Sequence, residues 1–360
     1  MDEALDFVVK RGQLDVTGWA PAQTGADSQL ASGELLLRVD RYALTSNNIT
    51  YALLGELAHY WDFFPAAPGW GRIPVWGFAD VIASRAPELA EGERIFGYLP
   101  MSPFLKVQPA KISASLFHDV SEHRRALPAI YQMYRRQPAQ EQHLEDMQSL
   151  LQPLAGTGFL IDDWLHENQL FGAKQILIGS ASSKTAMATA FMLGRRSARD
   201  FKVIGLTSAR HRPFCERVGY YDQVIDYDSI RSLAGDVPSV FVDMSGAAKV
   251  RTAVHEHFRD TLRFSSLVGL THAELSPSAA VPGPQPQMFL APAVIERLRA
   301  TRGADGVQML LTEANAAFFS SAKSWLEIQR LTSQLAIEAA YQRVRAGNVE
   351  PHQGVILSPR

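Results

Sequence analysis

The apolar and polar positions of this chain fall into two regimes that change over near residue 150. Before it, short apolar runs separated by Gly, Pro, Asn and Ser clusters predict strands over 5–9, 34–42, 75–84 and 94–99. Over 34–42 the side chains alternate, Leu35, Leu37, Val39 and Arg41 against Leu36, Arg38 and Asp40, as a half-buried antiparallel strand requires. The stretch 118–152 turns helical and charged and reads as a helical insertion. It either covers a cleft or a partner surface, or forms a solvated helical pair packed by Ile130 and Met133. From Pro153 strands and helices alternate: helix 159–167, strand 175–178, helix 184–193, strand 202–206, helix 213–218, strands 223–226 and 239–242, helix 249–258 and strand 265–269. All-apolar runs such as Ile176-Leu177-Ile178 suit parallel strands covered on both faces, so this half predicts a doubly wound parallel sheet. A Pro- and Ser-rich loop over 274–287, helices over 294–302 and 322–347, and a strand over 354–358 complete the chain.

The stretch 173–208 is a βαβ unit, and a right-handed crossover sets its helix N-terminus beside the carboxyl end of the first strand, a ready site for a phosphate. The turn between them, Gly179-Ser180-Ala181-Ser182-Ser183-Lys184-Thr185, keeps the first glycine of the dinucleotide fingerprint and replaces the later ones with small or hydroxyl residues. A backbone of this kind still approaches a pyrophosphate, with hydroxyls as added donors. Lys184 in the first helical turn opposes the helix dipole; either a bound phosphate or a solvated edge position accounts for it.

Composition narrows the possibilities. At 46% hydrophobic and 20% charged the chain is an ordinary globular one, and a net charge of -2 gives no electrostatic footprint for nucleic acid. The single Cys215 excludes internal disulfides and multi-cysteine metal sites and suits a reducing cytosol. His118, His123 and His143 lack companions at metal-ligand spacing, so no metal is expected. No signal peptide and no membrane span is apparent, and a cytoplasmic location is expected.

Several segments, in order, resemble the medium-chain dehydrogenase/reductase superfamily, in particular its zinc-free quinone oxidoreductase-like branch. Asp40 to Tyr51 is similar to that family's strand and active-site turn, in which an asparagine precedes a tyrosine. Glu91 to Gly97 resembles its Gly-Asp-Arg-Val turn and strand, Gly219 to Tyr227 its segment ending in a strand and tyrosine, and Ala336 to Leu357 its returning helix and strand. The resemblance implies a GroES-like β-rich domain over 1–150, carrying the insertion, and a Rossmann-type domain over 151–314. Residues 315–360 return to the first domain. The degraded glycine turn and the insertion depart from the family pattern and point to a divergent branch.

The same resemblance implies a dinucleotide held in an interdomain cleft. The second Rossmann strand ends in Thr207-Ser208-Ala209-Arg210-His211-Arg212, without the carboxylate that an NAD site uses and with two arginines suited to a 2′-phosphate, which favours NADPH. The alternative is that Arg210 and Arg212 only begin a solvated helix. Tyr227 by resemblance lies alongside the phosphate, and Ser245, Gly246, Gly269, Leu270 and Thr271 approach the ribose and nicotinamide. Without metal, reduction of an apolar enone, quinone or ketone needs a proton donor, for which Tyr51 is the candidate, and a carbonyl partner, Asn47 or Asn48. Either asparagine is equally suited to forming a turn. The aromatic stretch Tyr60, Trp61, Phe63, Phe64 and Trp70 either lines a substrate pocket or fills core. Members of the superfamily pair as dimers or tetramers, so a homodimer or homotetramer is implied. A non-redox lyase on the same fold and a binding protein without a nucleotide are the alternative functions.

Overall fold

The computed structural model describes residues 4–269 and 281–359. The chain divides into two compact units, 1–150 with 326–360, and 151–325. It leaves the second unit later than the expected 315, because the helix Ala291–Ala322 continues past that point, with one irregular residue at Gly303 (φ 70°).

The first unit is β-rich. Its sheet runs in the order Glu327–Leu331, Gln353–Leu357, Leu35–Leu44, Pro74–Ser84, Arg94–Pro100, Met133–Arg136, Leu116–Asp119 and Pro109–Ala110, with Phe104–Val107 also on Leu35–Leu44. Gly77 faces the end of the Leu35–Leu44 strand where the backbones approach closely: a Cβ there would sit 2.1 Å from the Arg41 carbonyl oxygen. The returning segment differs from the expected single helix over 322–347. Glu327–Leu331 is a strand parallel to Gln353–Leu357, and the helix Gln334–Arg345 starts only at Ser333, whose hydroxyl caps the Ala336 N–H. Buried Asp146 fixes this return by pairing with both Arg330 and Arg41, while buried Glu145 pairs with Arg94 at 3.0 Å.

The 118–152 stretch is not a helical insertion. Leu116–Asp119 and Met133–Arg136 form an antiparallel pair, with Met133 opposite His118, which extends the sheet from Arg94–Pro100. Helix begins only at Gln142 and runs to Glu167, across the division between the units. The charged spacing that resembles a helical face belongs to 3₁₀ turns at Glu122–Arg124 and Ala129–Tyr131, between strands whose inward residues Phe117 and Tyr134 stack at 5.3 Å.

The second unit holds a six-stranded, all-parallel sheet in the order Gln223–Asp226, Lys202–Thr207, Gln175–Ile178, Ser239–Asp243, Leu262–Leu267 and Gln287–Met288. The strand order reverses between Gln175–Ile178 and Ser239–Asp243. Ligands of open α/β sheets bind at the carboxyl ends of the strands flanking such a point. Among the described residues no helix is long and apolar enough to cross a membrane.

Candidate functional site

The turn after Gln175–Ile178 is built to lie close to the sheet. Gly179 N–H donates to the Val242 carbonyl and Ala181 N–H to the Leu206 carbonyl, both at 2.9 Å. Ser180 adopts a left-handed backbone (φ 49°), and its carbonyl accepts from Ser183 N–H at 2.8 Å. The Ser183 hydroxyl then caps the helix Lys184–Gly194 through Ala186 N–H. Below the turn, Gly205 leaves the space that Ala181 and the Tyr221 ring occupy; a Cβ on Gly205 would lie 2.9 Å from each.

Polar side chains gather around this turn. Ser182 Oγ lies 3.2 Å from His211 Nδ1 and accepts a long hydrogen bond from Thr207 Oγ1 at 3.4 Å. Tyr221 OH donates to the Ala181 carbonyl at 2.7 Å, and the Tyr227 hydroxyl interacts with Ser180. Lys184 is half-buried beside the turn, and burial pushes its ammonium down to about 8. Thr185 lies half-buried in the first turn of the same helix. Arg212 pairs with Glu216 at 2.8 Å and with Asp226 at 3.4 Å, and Arg210 is an exposed residue of the same loop. Ser208 is half-buried between Thr207 and this loop.

The end of Ser239–Asp243 is closed by its own side chain. Buried Asp243 accepts from the N–H groups of Ser245 (3.1 Å) and Gly246 (2.9 Å). Burial pushes its carboxyl above the usual range despite those bonds and Arg251 nearby. Gly269 comes against the same strand end, where a Cβ would meet the Met244 carbonyl oxygen at 2.2 Å. Leu270 and Thr271 lie outside the described residues.

In the first unit the chemistry gathers around Tyr51 on the helix Ser46–Leu53. The helix starts from Thr45, whose N–H donates to Asn48 Oδ1 at 2.7 Å, while Asn48 Nδ2 donates to the Pro74 carbonyl at 2.8 Å. Asn48 is therefore a buried capping residue that positions the helix. Asn47, half-buried one residue earlier, interacts with the Tyr51 hydroxyl. The indole N–H of Trp76 donates to Tyr51 OH at 3.3 Å. Burial, together with Tyr60 nearby, raises the Tyr51 phenol far above its ordinary value, and the bonds from Trp76, Asn47 and Tyr131 do not reverse this. At neutral pH the group is a protonated donor.

Tyr60, Tyr98 and Tyr131 surround it. Tyr51 lies 4.6 Å from Tyr60, 5.5 Å from Tyr98 and 6.1 Å from Tyr131 between ring centroids. Of the aromatic stretch, Tyr60 and Phe63 join this cluster, with Phe64 packed on Tyr98, while Trp61 is buried core. Trp70 lies in a separate short strand, Trp70–Gly71.

A family described as "Protein of unknown function (DUF2855)" matches residues 42–350. The chain belongs to that family. No curated protein matches it. Among solved structures it is similar to CurA of Vibrio vulnificus in complex with NADPH (13% identity, TM-score 0.64, 99% of both chains). It is also similar to the yhdH oxidoreductase of Salmonella enterica in complex with NADP (13%, 0.54, 99% of both chains). A third is the quinone oxidoreductase of Coxiella burnetii (14%, 0.54, 100% of both chains). This family member therefore shares the fold of these solved structures, a β-rich domain with a parallel α/β sheet.

Sequence reasoning missed His211 and Tyr221 at the turn, and Trp76, Tyr98 and Tyr131 around Tyr51. Tyr131 stood in a stretch read as helix, and Trp76 and Tyr98 stood in strands whose partners no local pattern specifies. His211 had a signal, since it lies between the two arginines at the end of the second Rossmann strand.

Proposed function

We propose that this protein is a zinc-independent, NADPH-dependent reductase of a small apolar enone, quinone or ketone. The observation that carries the reading is the Gly179–Thr185 turn, set at the switch point of a parallel sheet and ringed by donors. Its polar groups fit a dinucleotide phosphate. Ser180 and Ser182 offer hydroxyls, the Lys184–Gly194 helix offers its N-terminus, and Lys184 is a desolvated ammonium that an anion would stabilise. Arg210 with His211 would hold a 2′-phosphate, and Tyr227 would lie along the adenosine side. Arg212, which pairs with Glu216 and Asp226, would join them. Ser245, Gly246 and Gly269 would approach the nicotinamide end. CurA and the yhdH oxidoreductase, which share the fold, hold NADPH and NADP.

A bound reduced nicotinamide supplies a hydride. The chain supplies a proton from Tyr51 and orientation of the substrate carbonyl from Asn47. Trp76, donating to the Tyr51 oxygen, stabilises the charge that develops there as the proton leaves. The zinc-independent part of the reading rests on the single cysteine, Cys215, which cannot supply a multi-cysteine zinc site. The reading is tested by incubating the protein anaerobically with NADPH and a naphthoquinone or an alkyl enone. Equimolar loss of NADPH and appearance of reduced product is expected; product without NADPH loss would instead favour a lyase.

Lys184 gives a pH signature. Its ammonium titrates near 8 in the free protein, and a bound phosphate raises that value. The charge is complete below about 8 and is lost above it, so NADPH affinity should weaken as pH rises through that region. Lys184→Met should lose roughly 10- to 100-fold in affinity at pH 7, the value of a charge-assisted hydrogen bond, and should flatten the pH dependence. A steep dependence retained in the variant would show that Lys184 does not meet the phosphate.

A further inference from the structure

The 116–136 hairpin brings a second hydroxyl to Tyr51. Tyr131, from the turn between its strands, interacts through its hydroxyl with that of Tyr51 and lies 3.2 Å from that of Tyr60. The three rings pack at centroid distances of 4.6, 5.7 and 6.1 Å. Tyr51 is buried, Tyr131 and Tyr60 are half-buried, and His59 and Asp62 beside Tyr60 are exposed. Tyr51 is thus the most buried of the three residues, and the other two lie nearer the surface.

We propose that Tyr51, Tyr131 and Tyr60 form a proton path from solvent to the buried Tyr51 hydroxyl, with Tyr131 as a positioning residue that closes the gap. When Tyr51 gives its proton to an acceptor, its oxygen takes the Tyr131 proton, the Tyr131 oxygen takes the Tyr60 proton, and Tyr60 takes one from water, which leaves as hydroxide. The three phenols return to their starting state, and the net change is one proton delivered to the acceptor and one hydroxide released to solvent. Burial keeps all three protonated at neutral pH, so the transfer runs as a chain of neutral donors rather than through a stored phenolate.

Arg124 holds the path in place. It is fully buried, donates from Nη2 to the Tyr131 carbonyl at 2.8 Å, and pairs with Asp119 at 2.7 Å. The ring of Tyr131 also packs on Phe63 and Tyr98 at 5.5 and 4.8 Å. The other groups around the chain of hydroxyls are Trp76, Asn47 and Tyr98. Trp76 donates to the Tyr51 oxygen, which leaves the Tyr51 proton free to point elsewhere.

The proposal takes its purpose from the reading of Tyr51 as a proton donor, but its test needs no turnover. In protein labelled at tyrosine Cζ and dissolved in equal parts H₂O and D₂O, a hydroxyl that exchanges slowly gives two Cζ resonances, and a fast one gives a single averaged resonance. We expect one resonance for Tyr51 in the wild type and two in Tyr131→Phe and in Tyr60→Phe, an exchange slowing of at least tenfold. Tyr42, fully buried in the same unit, should give two resonances in every form and serves as the control. Two Tyr51 resonances in the wild type, or one in all three proteins, would overturn the path. A path found in a protein that consumes no NADPH would leave this inference standing and remove the reductase reading instead. In an active enzyme Tyr131→Phe should lower kcat about tenfold, leave KM within about twofold and enlarge the solvent isotope effect, which a merely structural residue would not do.

Discussion

Replacing Arg124 by methionine should cost the first unit about 3–5 kcal/mol of stability, the usual penalty for stranding one member of a buried ion pair. Asp119, also buried, accepts from Arg124 Nη1 at 2.7 Å. Its second oxygen takes the Gln108 and Ser121 N–H groups at 3.0 and 2.9 Å and the Ser121 hydroxyl at 2.6 Å, so the carboxylate has nowhere to go once the arginine is lost. The guanidinium further donates to Tyr134 OH at 2.8 Å and lies over the rings of Phe63 and Phe64 at 5.6 and 5.0 Å. Methionine restores some of the packing but none of the donors. Urea unfolding followed by tryptophan fluorescence checks the loss, and a change of less than about 1 kcal/mol would contradict this role for the pair. Because Arg124 also holds the Tyr131 carbonyl, the variant should loosen the tyrosine cluster as well.

Removing the Tyr51 hydroxyl should have the largest effect on chemistry. General acid catalysis by a positioned side chain contributes typically ~10²- to 10⁴-fold. Tyr51→Phe should therefore lower kcat by about 10²-fold or more while leaving NADPH affinity unchanged, since it alters none of the residues assigned to the phosphates. The same change leaves the Trp76 indole N–H without its acceptor, so a modest stability loss of about 1–3 kcal/mol accompanies it. Circular dichroism and single-turnover measurements separate the two effects. Unchanged turnover would remove Tyr51 from proton delivery.

Much of the fold was legible in the sequence because its signals are local. Apolar runs such as Val240-Phe241-Val242 suit strands covered on both faces, whereas the alternation over 34–42 holds only in part: Leu36 is buried together with Leu35 and Leu37, and the pairing with Pro74–Ser84 shifts register between Leu36 and Leu37 and between Val39 and Arg41. The 116–136 hairpin was illegible for the opposite reason. Its strands are four residues each, too short for periodicity to separate strand from helix, and a buried Arg124 and Asp119 look like surface charge until their partners are known. The strand Glu327–Leu331 was hidden in the same way. Its residues Glu327, Gln329 and Arg330 suit a helix surface, and only pairing with Gln353–Leu357 makes them extended.

The candidate site divides along the same line. The turn from Gly179 to Thr185 was visible as a turn, because a glycine and small residues stand between an apolar strand and a helix, but its later glycines are replaced and its sequence alone is a weak signal for a nucleotide. The role of Asn48 depended on Pro74, which begins the strand Pro74–Ser84 26 residues later. That Arg212 faces Glu216 was readable from their spacing of four, but its contact with Asp226 was not. The tyrosine cluster joins residues 51, 60, 98 and 131, and no pattern in the sequence links them.

The central claim, that the serine-rich turn binds NADPH, is tested most directly by calorimetric titration of the purified protein with NADPH and NADH in parallel. The account predicts micromolar binding of NADPH, with NADH at least about tenfold weaker because Arg210 and His211 then face no 2′-phosphate. Equal affinities would contradict the assignment of those two residues, and binding of neither nucleotide would contradict the claim itself.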